Sequence, residues 1–175
     1  MSRKPFDKNA LLSALAAHVL EYGLNSASLR PMAASAGTSD RMLIYHFGSK
    51  DGLIVELLQF LAEGMAMQLD QALPPLCYET EQELIENVLA VMRSEAFAAY
   101  SRVWFDIVSA AAQGSGPHQK AAGTIVGIFL EWLARRHPQG HAGAPRALVF
   151  IEGCIIMDVA GRQDVSDAIN RGSGC

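Results

Sequence analysis

Four side chains able to meet an anion stand close together in the stretch "SDRMLIYHFGSK": Arg41, Tyr45, His46 and Lys50. Arginine can address guanine through two parallel hydrogen bonds. Tyrosine and histidine suit phosphate oxygens. Lys50 falls at the start of a predicted helix, where backbone N–H groups and the helix dipole already favour a phosphate. On a helix, Leu43 and Phe47 would point inward, leaving Asp40, Arg41, Met42, Tyr45 and His46 largely outward. Such a face fits a reader of the DNA major groove. Charge agrees with this locally. Residues 1–50 hold six Lys or Arg (Arg3, Lys4, Lys8, Arg30, Arg41, Lys50) against three acids (Asp7, Glu21, Asp40), a net of +3, and the remaining 125 residues hold eight basic and fifteen acidic side chains, a net of -7. The total of -4 excludes a uniformly basic nucleic-acid coat, so one end of the chain faces anions and the other does not.

Other candidate chemistry is thinner. Trp104-Phe105-Asp106 places a carboxylate inside an apolar helical segment. Together with Met65, Met92, Phe97 and Tyr100, Trp104 and Asp106 make a candidate small-molecule pocket, apolar with a placed polar group. The plainer reading makes the Met and aromatic residues core and Asp106 a surface carboxylate. His18 and Glu21 are too few for a metal centre, which in helical bundles takes several carboxylates and histidines. Cys77, Cys154 and Cys175 are odd in number and form no CxxC, so neither a zinc site nor a disulfide framework is signalled. No Ser-His-Asp order, glycine-rich phosphate loop or pair of general acids emerges. No metal, cofactor or enzymatic activity is therefore expected. No membrane span is expected either, because the longest charge-free run, 107–119, is too short. The N-terminus lacks the apolar region of a secretory signal, which makes a reducing cytoplasm the expected compartment.

The elements that must position these groups read as helices nearly throughout. Apolar residues recur at three and four, and β-branched alternation is scarce. Asp7 caps a first helix whose stripe is Leu11/Leu12, Leu15, Val19 and Tyr22, and Gly23 ends it. Ser28 caps a short second helix to about Ala36, with Pro31 in its first turn. Ser39 caps a third to about Phe47. Ser49 or Lys50 opens a long fourth that stops before Pro74-Pro75. Further helices are expected over about 81–94, 95–112, 117–136 and 145–160, with a frayed tail "NRGSGC". Arg135-Arg136-His137 would set cations against the C-terminal carbonyls of the helix that they end.

Two short helices joined by a tight turn containing Gly37, with Ala33 and Ala36 small enough for close approach, have the spacing of a helix-turn-helix. The expected DNA-facing set is Ser28, Arg30, Thr38, Ser39, Asp40, Arg41, Met42, Tyr45, His46 and Lys50. Near the other end, the helices over 117–136 and 145–160 are apolar on more than one face, which calls for two burial partners. A second copy of the chain is the natural one, seated on Gly123, Val126, Gly127, Leu130, Ile151 and Ile155.

Residues 9–53 resemble the N-terminal domain of the tetracycline-repressor (TetR) family of bacterial transcriptional regulators. The resemblance rests on Glu21-Tyr22-Gly23 ending the first helix, the capping Ser28, the pair Met32-Ala33, the run from Ala36 to Ser39, and His46-Phe47 through Ser49-Lys50 to Leu53. Two positions depart from the family's pattern. Ile44 stands where a tyrosine is usual, and Pro31 where an acidic residue is common. The resemblance implies an all-α protein, with a three-helix helix-turn-helix domain over 1–52 and a helical ligand-binding and dimerisation domain over 53–175. It also implies a homodimer joined by a four-helix interface, an operator of double-stranded DNA, and repression relieved by a small molecule. The rivals are an activator, and a helical small-molecule-binding or enzymatic protein whose helix-turn-helix is vestigial.

Overall fold

The structure, a computed structural model, describes residues 7–24 and 28–172, with side chains as far as Ala168. Arg3 and Lys4, counted among the basic residues of 1–50, and residues 173–175 of the tail lie outside the described residues. The fold is all-α, with no strand among the described residues. Its helices are α1 (Lys8–Tyr22), α2 (Leu29–Ser35), α3 (Asp40–Phe47), α4 (Lys50–Ala72), α5 (Glu81–Met92), α6 (Glu95–Ala112), α7 (Gly116–Ala134), α8 (Ala144–Val159) and α9 (Gln163–Gly172), with a short 3-10 turn at Gly140–Ala142 before α8.

The caps expected at Asp7 and Ser39 form, the one expected at Ser28 does not, and Thr80 adds an unexpected one. Asp7 accepts from the N–H groups of Asn9 and Ala10, Ser39 from Met42, and Thr80 from Glu83 at the head of α5. Each satisfies a donor that a helix start leaves without an internal acceptor.

The chain divides into two compact units, residues 1–65 with 99–125, and residues 66–98 with 126–175. The first unit thus extends past the 52/53 boundary expected from the sequence. Its core comes from Leu11, Leu12, Leu15 and Val19 of α1, Met32 and Ala33 of α2, and Leu43 and Phe47 of α3. Leu53, Leu57, Leu58 and Leu61 of α4, with Val103 and Ile107 of α6, complete it. Burying one leucine fully is worth about 1.5–3 kcal/mol, so this repeated spacing is what holds three short helices together.

In the second unit α8 packs on α5 and α9. Leu84, Ile85, Val88 and Leu89 of α5, Trp132 and Leu133 of α7, and Ala147, Ile151, Cys154 and Ile155 of α8 are buried there. Arg136 does more than sit at the end of α7. It is fully buried, with its guanidinium 3.9 Å from the Trp132 ring. It donates to the Trp132 carbonyl, the Leu73 carbonyl and Asp70 Oδ1. His137 is buried beside it, its Nδ1 accepting from the Gln139 N–H at 3.0 Å.

α9 has no counterpart among the expected helices. Little of it is apolar; a polar network ties it down. The buried Ser166 donates to Asp158 Oδ1 at 2.7 Å, and Arg93 reaches Asp158, Ser166 and Asp167. Burial pushes the Asp158 carboxyl up, but hydrogen bonds from Arg93 and Ser166 outweigh it and hold the group below its ordinary range.

Among the described residues α4 is long and apolar enough to cross a membrane by length and composition. Its composition is that of a core helix: Leu53, Leu57, Leu58, Leu61 and Leu69 are buried in the protein itself. Acids interrupt it at Glu56 and Glu63, which is why no charge-free run marks it in the sequence.

Candidate nucleic-acid interface

α2 and α3 are joined by a turn whose hydrogen bonds account for its tightness. The Thr38 N–H donates to the Ala33 carbonyl at 2.9 Å and the Gly37 N–H to the Ala34 carbonyl at 3.2 Å. This is the paired closure of a helix that ends on a left-handed residue. Gly37 supplies it, with φ +63°, a region costly for a residue with a Cβ. α3 then starts at Asp40, whose charge sits favourably at the helix head.

On α3, Leu43 and Phe47 are buried against the other helices of the first unit. Arg41, Met42 and Tyr45 face outward, Tyr45 being 77% exposed. Asp40 is exposed as well, and His46 is half-buried, its ring edge-on to Tyr45 at 5.0 Å. Around this helix Ser28, Arg30, Ser39 and Lys50 are exposed and Thr38 is half-buried. All ten expected DNA-facing residues therefore belong to the first unit. Ser28 stands at the head of α2 without a side-chain capping bond.

The corner between α3 and α4 is equally constrained. Ser49 Oγ accepts from the Gly52 N–H at 2.9 Å, capping α4 just before Lys50. A Cβ at Gly52 would collide with the Phe47 carbonyl oxygen, so only glycine permits this approach of α4 to the end of α3.

Lys8 differs from expectation. Counted in the sequence among the basic groups that could meet phosphate, it instead pairs with Glu56 at 2.5 Å and lies 4.9 Å from the centre of the Phe47 ring. It ties α1 and α4 to the end of the outward-facing helix. Two further residues of this unit were not anticipated in their roles. Asp106 Oδ2 accepts from the Leu24 N–H at 3.1 Å, and Arg102 donates to the Leu20 carbonyl at 3.3 Å. Asp106 is neither a surface carboxylate nor free for a ligand; it is half-buried and engaged with the chain just after α1.

The remaining candidate pocket residues are divided. Met65, Tyr100 and Trp104, all half-buried, belong to the first unit; Met92, half-buried, and Phe97, buried, belong to the second. Of the expected dimer residues, Gly123, Val126 and Gly127 are exposed and Leu130 is half-buried. Ile151 and Ile155 are not available in this way. They are 4% and 8% exposed because their stripe of α8 faces the core of the second unit. The opposite stripe carries Val149, Ile156 and Val159, at 74%, 48% and 66% exposure. The sequence shows this helix apolar on more than one face and does not say which face the chain covers itself. Among the described residues no group of three His, Cys, Asp or Glu side chains is placed to hold a metal; the His18 ring instead packs at 4.8 Å on Tyr22.

Comparison with known proteins bears on this geometry. Residues 11–57 match the family described as bacterial regulatory proteins, tetR family. No curated protein matches the chain. Among solved structures, the multidrug binding protein EbrR, complexed with proflavin, is similar with a TM-score of 0.68 at 19% identity, covering 92% of this chain and 98% of its own. A protein described as a transcriptional regulator from Streptomyces coelicolor A3(2) aligns with a TM-score of 0.69 at 18% identity, covering 93% and 97%. A protein described as a TetR-family transcriptional regulator from Rhodococcus sp. aligns with a TM-score of 0.63 at 15% identity, covering 94% of both chains. At these identities the likeness is one of fold, and it extends over both units.

Proposed function

We propose that this chain, which belongs to the tetR family of bacterial regulatory proteins, is a cytoplasmic homodimeric repressor that binds a near-palindromic operator and leaves it when a small molecule binds. The observation that carries the reading is the outward face of α3: Arg41, Met42 and Tyr45 exposed on a helix whose Leu43 and Phe47 are locked in the core. Arg41 reads a base edge, with Asp40 and Met42 shaping the preference. Tyr45 and His46, with Ser28, Arg30, Thr38, Ser39 and Lys50, meet phosphate and fix the register. With Ile44 where the family has tyrosine, Tyr45 takes the aromatic phosphate contact.

Two copies are needed because one short helix reads only a half-site. Dimerisation through Val126, Gly127 and Leu130 of α7 and Val149, Ile156 and Val159 of α8 would set two α3 helices into successive major grooves, about 34–36 Å apart. Release follows if a ligand binds the non-operator state more tightly than the operator-binding one. Met65, Tyr100 and Trp104 are the residues of the first unit proposed to meet it. The proflavin complex of EbrR supports a flat aromatic compound as the first to try.

Selection of binding sites from random DNA by the purified full chain tests the reading. An enriched sequence with two related half-sites, released by a ligand found in a screen that starts with proflavin, supports it. No enrichment at low salt would rule out the DNA-binding part.

A further inference from the structure

α1 ends at Tyr22, with the Gly23 N–H closing back on the Val19 carbonyl at 2.8 Å. Had the helix continued, the next bond would run from the Leu24 N–H to the Leu20 carbonyl, since helical bonds join residues four apart. Both groups are used, but by α6. Leu24 N donates to Asp106 Oδ2 at 3.1 Å, and the Leu20 carbonyl accepts from Arg102 Nη2 at 3.3 Å. Two side chains four apart on α6 thus stand in for the first missing backbone bond of α1. The pairing suits the groups: a carboxylate accepts from the orphan N–H, and a guanidinium donates to a carbonyl at the negative end of a helix. Leu24 is itself buried, at 8% exposure, so an apolar anchor backs the polar grip. Asp106 is half-buried and Arg102 exposed, which makes the carboxylate the stronger of the two contacts.

This grip sits where the chain leaves α1 on its way to α2, the first helix of the helix-turn-helix. We infer that Asp106, assisted by Arg102, is a positioning residue for DNA binding: from α6 it holds the chain at Leu24, just past the Gly23 end of α1, and so favours the arrangement of the first unit in which α3 meets DNA. The inference rests on the reading of α2 and α3 as the DNA-binding element. Neither side chain needs to touch DNA for this. Their effect is on the fraction of molecules in the competent arrangement, and apparent affinity falls in proportion to that fraction.

Charge makes the test discriminating. Removing an acid from a DNA-binding protein should, by electrostatics alone, strengthen binding; the positioning role demands the opposite. On the selected operator at fixed salt, Asp106→Ala should bind roughly ten-fold more weakly, the loss expected when a charge-assisted hydrogen bond goes. The salt slope should not change, because no phosphate contact is lost. The dimer should sediment unchanged, and exchange of the Leu24 amide, followed by NMR in the full chain, should speed up. Asp106→Asn keeps an acceptor oxygen without the charge and should recover most of the affinity. Arg102→Ala, at an exposed site that tolerates change, should weaken binding two- to three-fold and serves if the Asp106 variants do not fold. Faster Leu24 exchange with wild-type affinity would overturn the inference, as would tighter binding by either Asp106 variant. Should the wild-type chain select no DNA at all, the functional reading fails while the Leu24 exchange still reports whether the grip exists.

Discussion

α3 in the first unit and α8 in the second are built alike on their inner sides and differ in what they turn outward. Leu43 and Phe47 anchor α3; Ala147, Ile151, Cys154 and Ile155 anchor α8. Outward, α3 presents Arg41, Met42 and Tyr45, whereas α8 presents Val149, Ile156 and Val159. An exposed Arg and Tyr lose little by staying in water and gain when a charged, hydrogen-bonding polymer arrives. Exposed valines and an isoleucine gain only when water leaves. On the proposed function, the difference separates two kinds of recognition on one helical plan, one suited to DNA and the other to a second copy of the chain.

A charge on α7 should have the largest effect. The Cβ position of Gly127 has nothing within 4 Å, so Gly127→Glu should fold, yet it would bury an unpaired carboxylate between subunits and cost association several kcal/mol. Sedimentation should show monomer, and operator affinity should collapse although α3 is untouched. Val149→Glu should act the same way, while a charge at Ile151 should unfold the second unit instead, because that side chain lies in its core.

Arg41→Ala should cost roughly 1–3 kcal/mol on the operator and much less on random duplex. Equal losses on both would reduce Arg41 to a backbone contact. Lys50→Ala should weaken all sequences alike and flatten the log–log salt dependence by about 0.9. Lys8→Ala sharpens the contrast. Because Lys8 is paired with Glu56, its loss should leave the salt slope where it was and lower thermal stability slightly.

The smallest effect is one of pH on the second unit. The hydrogen bond from Arg146 holds the Glu81 carboxyl below its ordinary range, and Asp158 is held low by Arg93 and Ser166 against the opposing effect of burial. Groups depressed in the folded state contribute stability that is fully present above their unfolded pKa values, about 4, and is lost as pH falls through the folded ones. Thermal scans from about pH 5 downward should show the melting temperature falling, and Asp158→Asn should make the fall shallower.

Much of the first unit was legible because its signals are local. Caps at Asp7 and Ser39, the glycine of the turn, and apolar residues at helical spacing each act within a few positions, and Arg41 and Tyr45 stand outward because Leu43 and Phe47 must stand inward. What stayed hidden depends on partners distant in the chain. Asp106 could not be matched with Leu24, 82 positions away, or Lys8 with Glu56. Arg136 looked like a helix-end cation until Asp70 and Leu73 met it, and α9, short and mostly polar, is tied down by Ser166 and Arg93 from positions far apart in the chain. That α8 is apolar on more than one face was visible, but which face the chain buries is decided by α5 and α9.

Sedimentation of the full chain, alone and with a labelled duplex carrying the selected operator, decides whether a dimer reads the operator. A dimer is expected at micromolar concentration without DNA, one dimer per duplex with it, and loss of the complex when either half-site is scrambled. A chain that sediments as a monomer and still binds a single half-site tightly would contradict it.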